Sequence, residues 1–362
     1  MQKSKIDYIF LFSVLVLVAV GLIMIFSASP TLAIRQGDAF YYVKRHVFYL
    51  VIGLLALYYG LHLDLENLKS KAFPVFIVSV LLLVLVFVPG VGLKVLGASR
   101  WIELGLLSFQ PSELIKFTTV LFMAKRLSDN KVQIESFVHG MLPALAWLGL
   151  ISVLILKQPD LGTAITVGAT VIAMLFIAGA EIRQLLTLLG MALAGIVAIS
   201  VTSPYRLRRL IAYIDPWKDP QGIGFHIIQS LLAVGSGGFF GLGLGASRQK
   251  FFYLPQQFTD FIFAILCEEL GFIGGVGVAV LFVVFAARGF RVALSASDRF
   301  RSLLVSGLVS WLTLQAVVNV MVVVGLIPTT GIPLPFISYG GTAVIVNLFS
   351  AGIVLNVSRR PQ

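Results

Sequence analysis

The sequence predicts an all-α, polytopic membrane protein of about ten transmembrane helices with one long ordered outer loop. Three observations predict it. Of the 362 residues, 58% are hydrophobic and only 12% charged, whereas a soluble domain carries about 25% charged residues. A soluble chain this apolar could not cover its own surface with polar groups, so lipid must be the solvent for most of it. Apolar segments near the ~20 residues that cross a bilayer recur from one end of the chain to the other. The short loops between them alternate between basic-rich and basic-poor.

Taken in order, Lys3 and Lys5 precede an apolar run over residues 8–26. It is too long for the apolar core of a signal peptide and reads as a retained first helix. Further spans are expected at 46–63, 73–88, 112–123, 138–156, 161–178, 184–200, 261–287, 303–327 and 342–357. The fourth is short and carries Glu113 and Lys116. Each span must be helical, because lipid offers no partner to a free backbone amide. With the N-terminus in the cytoplasm, one set of loops and termini holds fourteen basic residues, from Lys3 and Lys5 to Arg359 and Arg360. The short loops of the other set hold six. That bias places both termini in the cytoplasm. The connection over residues 202–259 is nearly sixty residues long and falls on the outer side. Loops of that length in compact proteins are functional or disordered. This one holds Tyr205, Trp217, Phe225, Phe239, Phe240, Phe251, Phe252 and Tyr253, which argues for order, and residues 225–232 are apolar enough to dip into the interface. No soluble domain, low-complexity tract or short repeat interrupts a single unit over 1–362.

Composition also excludes function classes. The single Cys267 rules out a disulfide framework and any metal site built on two thiolates, and reads as a small buried apolar residue. The net charge of +11 is scattered, with no basic stripe for nucleic acid. Such charges set topology and contact membrane lipids.

Four polar clusters fall on the outer side. Arg100-Trp101-Ile102-Glu103 is followed by Gln110-Pro111-Ser112-Glu113-Leu114-Ile115-Lys116. Pro111 and Glu113 suit a helix start, and Glu113 and Lys116 can pair three apart. Lys116 lies a turn inside the membrane, where an ionisable group faces a protein interior. In Lys157-Gln158-Pro159-Asp160-Leu161-Gly162, Asp160 suits a helix cap. The long loop carries Arg206, Arg208 and Arg209, whose guanidinium groups suit either phosphate oxygens or lipid headgroups. It also carries the glycine string 235–245. No strand precedes that string, which excludes a nucleotide-binding turn and leaves tight backbone packing. The loop ends in Gln256-Gln257-Phe258-Thr259-Asp260-Phe261. Asp260 either caps the next helix or, as a carboxylate among apolar groups, has a raised pKa that suits a general base. Glu268 and Glu269 follow inside that helix. The fourth cluster, Pro328 to Thr342, includes Pro333, Pro335 and Ser338. It is too proline-rich to be helical and too apolar for an ordinary loop, so it reads as irregular backbone packed into the membrane face.

The order Arg100-Trp101, Gln110-Pro111-Ser112-Glu113, Gln158-Pro159-Asp160-Leu161-Gly162, the Asp260 block and residues 333–341 resembles the SEDS (shape, elongation, division and sporulation) family, which includes FtsW, RodA and SpoVE. The resemblance spans the whole chain. Asp215-Pro216-Trp217 and residues 243–250 resemble the divisional form FtsW, and SpoVE, more than RodA. The resemblance implies a peptidoglycan glycosyltransferase of the bacterial cytoplasmic membrane. Its substrate would be lipid II, the undecaprenyl-pyrophosphate-linked disaccharide-peptide, polymerised on the outer face for septal wall synthesis. Its partners would be a class B penicillin-binding protein and other divisome proteins. Asp260 falls on the family's essential outer-loop aspartate. Gln256 stands where relatives usually have Glu, Phe258 where they have His, and Cys267 where they have Gly.

Such a reaction needs a base for the acceptor hydroxyl, which Asp260 would supply. It also needs positive charge for the pyrophosphate leaving group, from Arg or Lys or from a divalent cation such as Mg2+ or Mn2+. Lys116, Arg206, Arg208, Arg209 and Lys250 are candidates, and Arg100, Trp101 and Ser338 join them as substrate-binding candidates. Two rival readings remain at this stage. A lipid II flippase would use Lys116, Glu268 and Glu269 as a polar path, and a non-catalytic scaffold would need only a lipid-facing surface.

Overall fold

All ten expected spans are helices. The computed structural model describes residues 6–95, 98–104, 107–129, 134, 136–251, 254 and 257–359. Lys3, Lys5, Lys131, Phe252, Tyr253, Gln256 and Arg360 lie outside the described residues. The helices are α1 (Tyr8–Ala28), α2 (Pro30–Ala33), α3 (Tyr41–His62), α4 (Leu65–Ser70), α5 (Ala72–Leu85), α6 (Pro111–Leu127), α7 (Leu142–Lys157), α8 (Leu161–Ile177), α9 (Ile182–Thr202), α10 (Pro204–Ile214), α11 (Phe225–Ser236), α12 (Ile262–Leu294), α13 (Arg299–Val323) and α14 (Gly341–Ser358). Among the described residues, six stretches are long and apolar enough to cross a membrane: α1, α7 with the π turn before it, α9, α12, α13 and α14.

The short, charged fourth span has a simple explanation. α6 is buried on nearly every side among α5, α8, α13 and α14, so protein rather than lipid surrounds Glu113 and Lys116. At the other extreme, α9 buries only Leu185 and Ser200 and is almost wholly turned outward. α3 and α14 approach closely because small residues line the seam. A Cβ at Gly60 would sit 2.8 Å from Phe349 O, and Asn356 Nδ2 donates to Gly60 O at 3.0 Å and Leu63 O at 2.8 Å.

Two features depart from the all-α expectation or sharpen it. The segment before α6 folds into a three-stranded antiparallel sheet, β1 (Gly92–Val95), β2 (Ala98–Leu104) and β3 (Leu107–Phe109). Strands of three to seven residues are too short to announce themselves through an alternating pattern. Within the described part of the long loop, two stretches are helical. α10 lies beside α9, and α11 packs on α12, burying Ile227, Ile228, Ser230 and Ala233.

The glycine string has a structural task. α12 breaks at Gly271 (φ 69°, ψ −167°), a conformation open essentially only to glycine. The break frees backbone groups inside the bundle, and the string satisfies them. Leu242 and Gly243 N–H donate to Glu268 O and Glu269 O, each at 3.0 Å. Phe272 and Ile273 N–H donate to Gly238 O and Phe239 O at 2.8 and 3.3 Å. A Cβ on Gly241 or Gly271 would collide with the opposing backbone.

Gly271→Ala is therefore expected to destabilise the fold by at least about 1–3 kcal/mol, whereas Gly277→Ala, with open space around it, is expected to be neutral. Thermal unfolding of the purified protein in detergent, followed by intrinsic fluorescence, checks the pair.

Candidate active site

One end of the bundle gathers the sheet, the long loop, the start of α8 and the proline-rich segment 328–340. Asp260 sits there, in the turn just ahead of α12. Its backbone is fixed by partners distant in sequence. Tyr339 N–H donates to Phe258 O at 2.9 Å. Ser338 Oγ donates to Thr259 O at 2.6 Å and accepts from Leu334 N–H at 2.7 Å. Asn319 Nδ2 donates to both Asp260 O (2.8 Å) and Ile332 O (2.7 Å). Gln257 Nε2 donates to Ala28 O at 2.8 Å. Three successive carbonyls of the turn thus accept bonds from the proline-rich segment or from α13, and Ser338 acts as the clamp between them.

The proline-rich segment is held in turn from below. Gln315 Nε2 donates to Pro333 O at 2.9 Å. Gln315 Oε1 accepts from Lys116 Nζ (2.8 Å) and Trp311 Nε1 (3.0 Å). Lys116 is paired with Glu113 at 2.8 Å, both residues being buried. The segment also approaches α1 so closely that a Cβ at Gly21 would lie 2.7 Å from Phe336 O and Ile337 Cα. Phe336 takes a left-handed φ of 65°, and its ring packs against Phe285, centroids 5.7 Å apart.

Charged groups converge on the Asp260 side chain. Burial pushes its pKa up to about 6. Arg209 pulls against that rise, Asp160 adds to it, and Arg100 pulls against it. Arg100 is held by the α7–α8 junction, donating to Gln158 O at 2.8 Å and Pro159 O at 2.5 Å. Gln158 in turn donates to Leu83 O at 3.1 Å. Asp160 caps α8, accepting from Thr163 N–H at 3.1 Å. Arg209 donates to Thr329 O at 2.9 Å, and Tyr213 from the same helix donates to Leu326 O at 2.9 Å. α10 is thereby laid across the end of α13. Gly331, in the left-handed region at φ 76°, lies under the carboxyl, where an added Cβ would meet Asp260 Oδ2 at 3.6 Å.

The structure thus brings together Asp260, Arg209, Arg100 and Asp160, with Ser338 and Lys116 in the scaffold beneath. It separates others that the sequence had grouped with them. Trp101 neighbours Arg100 in sequence, but both lie on β2, where successive side chains point to opposite faces. Arg100 shares a face with buried Ile102, and Trp101 lies on the other, paired across the sheet with Leu93. Arg206 donates to Leu156 O at 3.2 Å, at the end of α7. Arg208 stays exposed. Lys250 is buried at the α12 break, on Glu269 Oε1 (3.3 Å) and Gly245 O (2.5 Å). Two residues that carry the site escaped the sequence reading, Gln315 and Asn319. Their signal was present: two amides four apart within an apolar span must share one protein-facing side. Among the described residues no group of three or more His, Cys, Asp or Glu could hold a metal ion by itself.

With this geometry in hand, comparison with known proteins is decisive. The family model for cell cycle proteins of the FtsW, RodA and SpoVE type matches residues 7–362. The chain belongs to the FtsW/RodA/SpoVE family. It is 45% identical over 359 residues to stage V sporulation protein E of Bacillus subtilis, covering 99% of this chain and 98% of that protein. It is 44% identical over 355 residues to a Geobacter sp. (strain M18) protein named probable peptidoglycan glycosyltransferase FtsW, covering 98% and 97%. Among solved structures it resembles a chain from a peptidoglycan synthase complex that coordinates polymerization and crosslinking, at TM-score 0.81 and 35% identity, covering 98% of each chain. It also resembles the rod shape determining protein RodA of Thermus thermophilus, at TM-score 0.71 and 33% identity, covering 98% and 97%.

Asn319→Leu removes both amide bonds while keeping a side chain branched at Cγ. It is expected to raise amide exchange in residues 258–262 and 332–339 by about fivefold, the equivalent of one lost net hydrogen bond of about 1 kcal/mol. Hydrogen-exchange mass spectrometry checks this against an unchanged α3–α14 pair.

Proposed function

We propose that this protein is a peptidoglycan glycosyltransferase that polymerises lipid II into glycan strands for septal wall synthesis. It would lie in the bacterial cytoplasmic membrane with both termini in the cytoplasm and the Asp260 end outside. The observation that carries the reading is Asp260, a carboxylate with a near-neutral pKa beside two guanidinium groups at one end of a membrane bundle. The orientation rests on the fourteen-to-six bias in basic residues. Relatives named as peptidoglycan glycosyltransferases, matched over nearly the full chain, support the substrate class.

The chemistry follows from the groups present. The acceptor sugar hydroxyl forms a bond to the donor's anomeric carbon and gives its proton to Asp260. The bond from that carbon to the pyrophosphate oxygen breaks, and the electron pair leaves with the lipid pyrophosphate. Arg209 and Arg100 would compensate that growing charge. Held by backbone carbonyls, they need little reorganisation as charge develops. Asp160 is the carboxylate that would hold a Mg2+ or Mn2+ ion, leaving Asp260 free as the base. Such an ion takes one or two protein carboxylates plus phosphate and would supply further neutralisation of the leaving group.

A class B penicillin-binding protein is the expected partner, since the similar solved complex couples polymerization to crosslinking. Other divisome proteins would dock around it. The flippase reading loses its structural support. Lys116 is closed onto Glu113 and Gln315. Glu268 accepts from Ser247 Oγ and Arg248 N–H, and Glu269 from Ser27 Oγ and Lys250. These groups form internal bonds rather than a polar path.

Two outcomes test the proposal. Asp260→Asn is expected to abolish strand formation from labelled lipid II by the purified protein with its partner, read on a gel, and full activity would overturn the role. The base works only when deprotonated, so wild-type rate should fall as pH drops through about 6. Arg209 opposes the rise in that pKa, so Arg209→Gln should move the acid limb to higher pH. A pH–rate profile of both proteins checks the sign.

A further inference from the structure

A second polar surface adjoins the Asp260 turn and takes no part in the chemistry above. The first turns of α3 present Tyr41, Tyr42 and Arg45, with Tyr49 buried beneath them. Arg45 donates to Tyr41 OH at 2.9 Å and to Tyr49 OH at 3.4 Å, and its guanidinium lies 5.6 Å from the Tyr41 ring centroid. Tyr42 stands edge-on to Tyr41 (5.2 Å) and to Tyr339 (5.6 Å) and leans on Phe258 (4.8 Å). Ser108 N–H, from β3, donates to Tyr49 OH at 3.4 Å. Tyr41, Tyr42, Arg45 and Tyr339 are half-buried, so part of each remains reachable. Next to them His46 is only 1% exposed, its ring 5.9 Å from Tyr339. His46 Nδ1 is buried and finds no hydrogen-bond partner among the described residues.

We propose that this surface is a saccharide subsite, and that it seats the disaccharide headgroup of the acceptor. The inference rests on the glycosyltransferase reading. Aromatic faces pack against the C–H faces of a sugar ring, while phenols and a guanidinium bond its hydroxyl and amide oxygens. A lipid tail would have no use for a guanidinium and several phenols. A pyrophosphate would call for the cationic pair on the Arg100–Arg209 side. Position completes the case. Phe258 belongs to this aromatic group and Asp260 follows two residues later, on a backbone clamped to the segment that carries Tyr339. A sugar resting on Tyr42 and Tyr339 would present its hydroxyl beside the base. The donor's pyrophosphate would meet different neighbours, on α10 and β2. His46 Nδ1, a buried polar atom awaiting a partner, would bond a hydroxyl reaching down beside Tyr339.

The test reads binding without turnover. Full-length protein in nanodiscs is titrated with the soluble N-acetylglucosamine–N-acetylmuramic acid disaccharide, free of lipid and pyrophosphate, by saturation-transfer NMR. Wild type should bind it. Arg45→Gln, and the milder Tyr41→Phe, should weaken binding by about tenfold, the loss of a hydrogen bond involving a charged group. No saccharide signal from wild type, or a signal untouched by both variants, would overturn the subsite. So would displacement of the sugar by added phosphatidylglycerol, which would make this a lipid-headgroup site. A polymerising Asp260→Asn would instead strike at the base assignment and leave the binding result standing.

Discussion

Inside a lipid-immersed bundle, every backbone N–H and C=O must find a partner within the protein. Regular helix meets that demand without help from side chains. This chain departs from regular helix at two buried places, the break in α12 at Gly271 and the proline-rich segment 328–340, and the functional end is built from the repairs. At the break, the glycine string offers its own backbone to the freed groups. At the proline-rich segment, Asn319, Gln315 and Ser338 reach in from the side. The Asp260 turn lies between the two repairs and shares bonds with the second.

That arrangement accounts for polar residues that look out of place in apolar helices. Lys116 and Glu113 are costly in lipid and affordable in α6, which meets protein on nearly every side. A buried ion pair is weak evidence for stability, because desolvation offsets its attraction. Its use here is positional. Lys116 orients Gln315, and Gln315 fixes Pro333. Glu268 and Glu269 act similarly, tying residues 247–250 and Ser27 of α1 to the kinked helix. The same economy governs the arginines. Arg100, Arg206 and Arg209 each donate to a backbone carbonyl, which fixes where their charge stands before any ligand arrives.

Much was legible from residue order. The ten helical segments, the buried reading of Cys267 and the cap at Asp160 all follow from local composition and motif. Other features were not. The small sheet was hidden because its strands are shorter than any reliable period. The pairing of Arg100 with Trp101 in sequence suggested a shared role, and the strand turns them to opposite faces. Lys250 looked like a loop cation suited to phosphate, yet the loop carries it inward to Glu269. Gln315 and Asn319 were visible as amides in an apolar span, but nothing in the sequence named their partners.

The sequence by itself determined the solvent and the helical segments, because transfer to lipid depends on composition within some twenty residues. It also marked Asp260, whose apolar neighbours along the chain already imply a raised pKa. Only the tertiary structure decided which charges face that carboxyl and which polar groups hold it. Asn319 bonds a carbonyl 59 residues away, Lys116 an amide 199 away, and Ser27 a carboxylate 242 away. Such pairs are set by the path of the chain through the bundle, and residue order alone carries no record of that path.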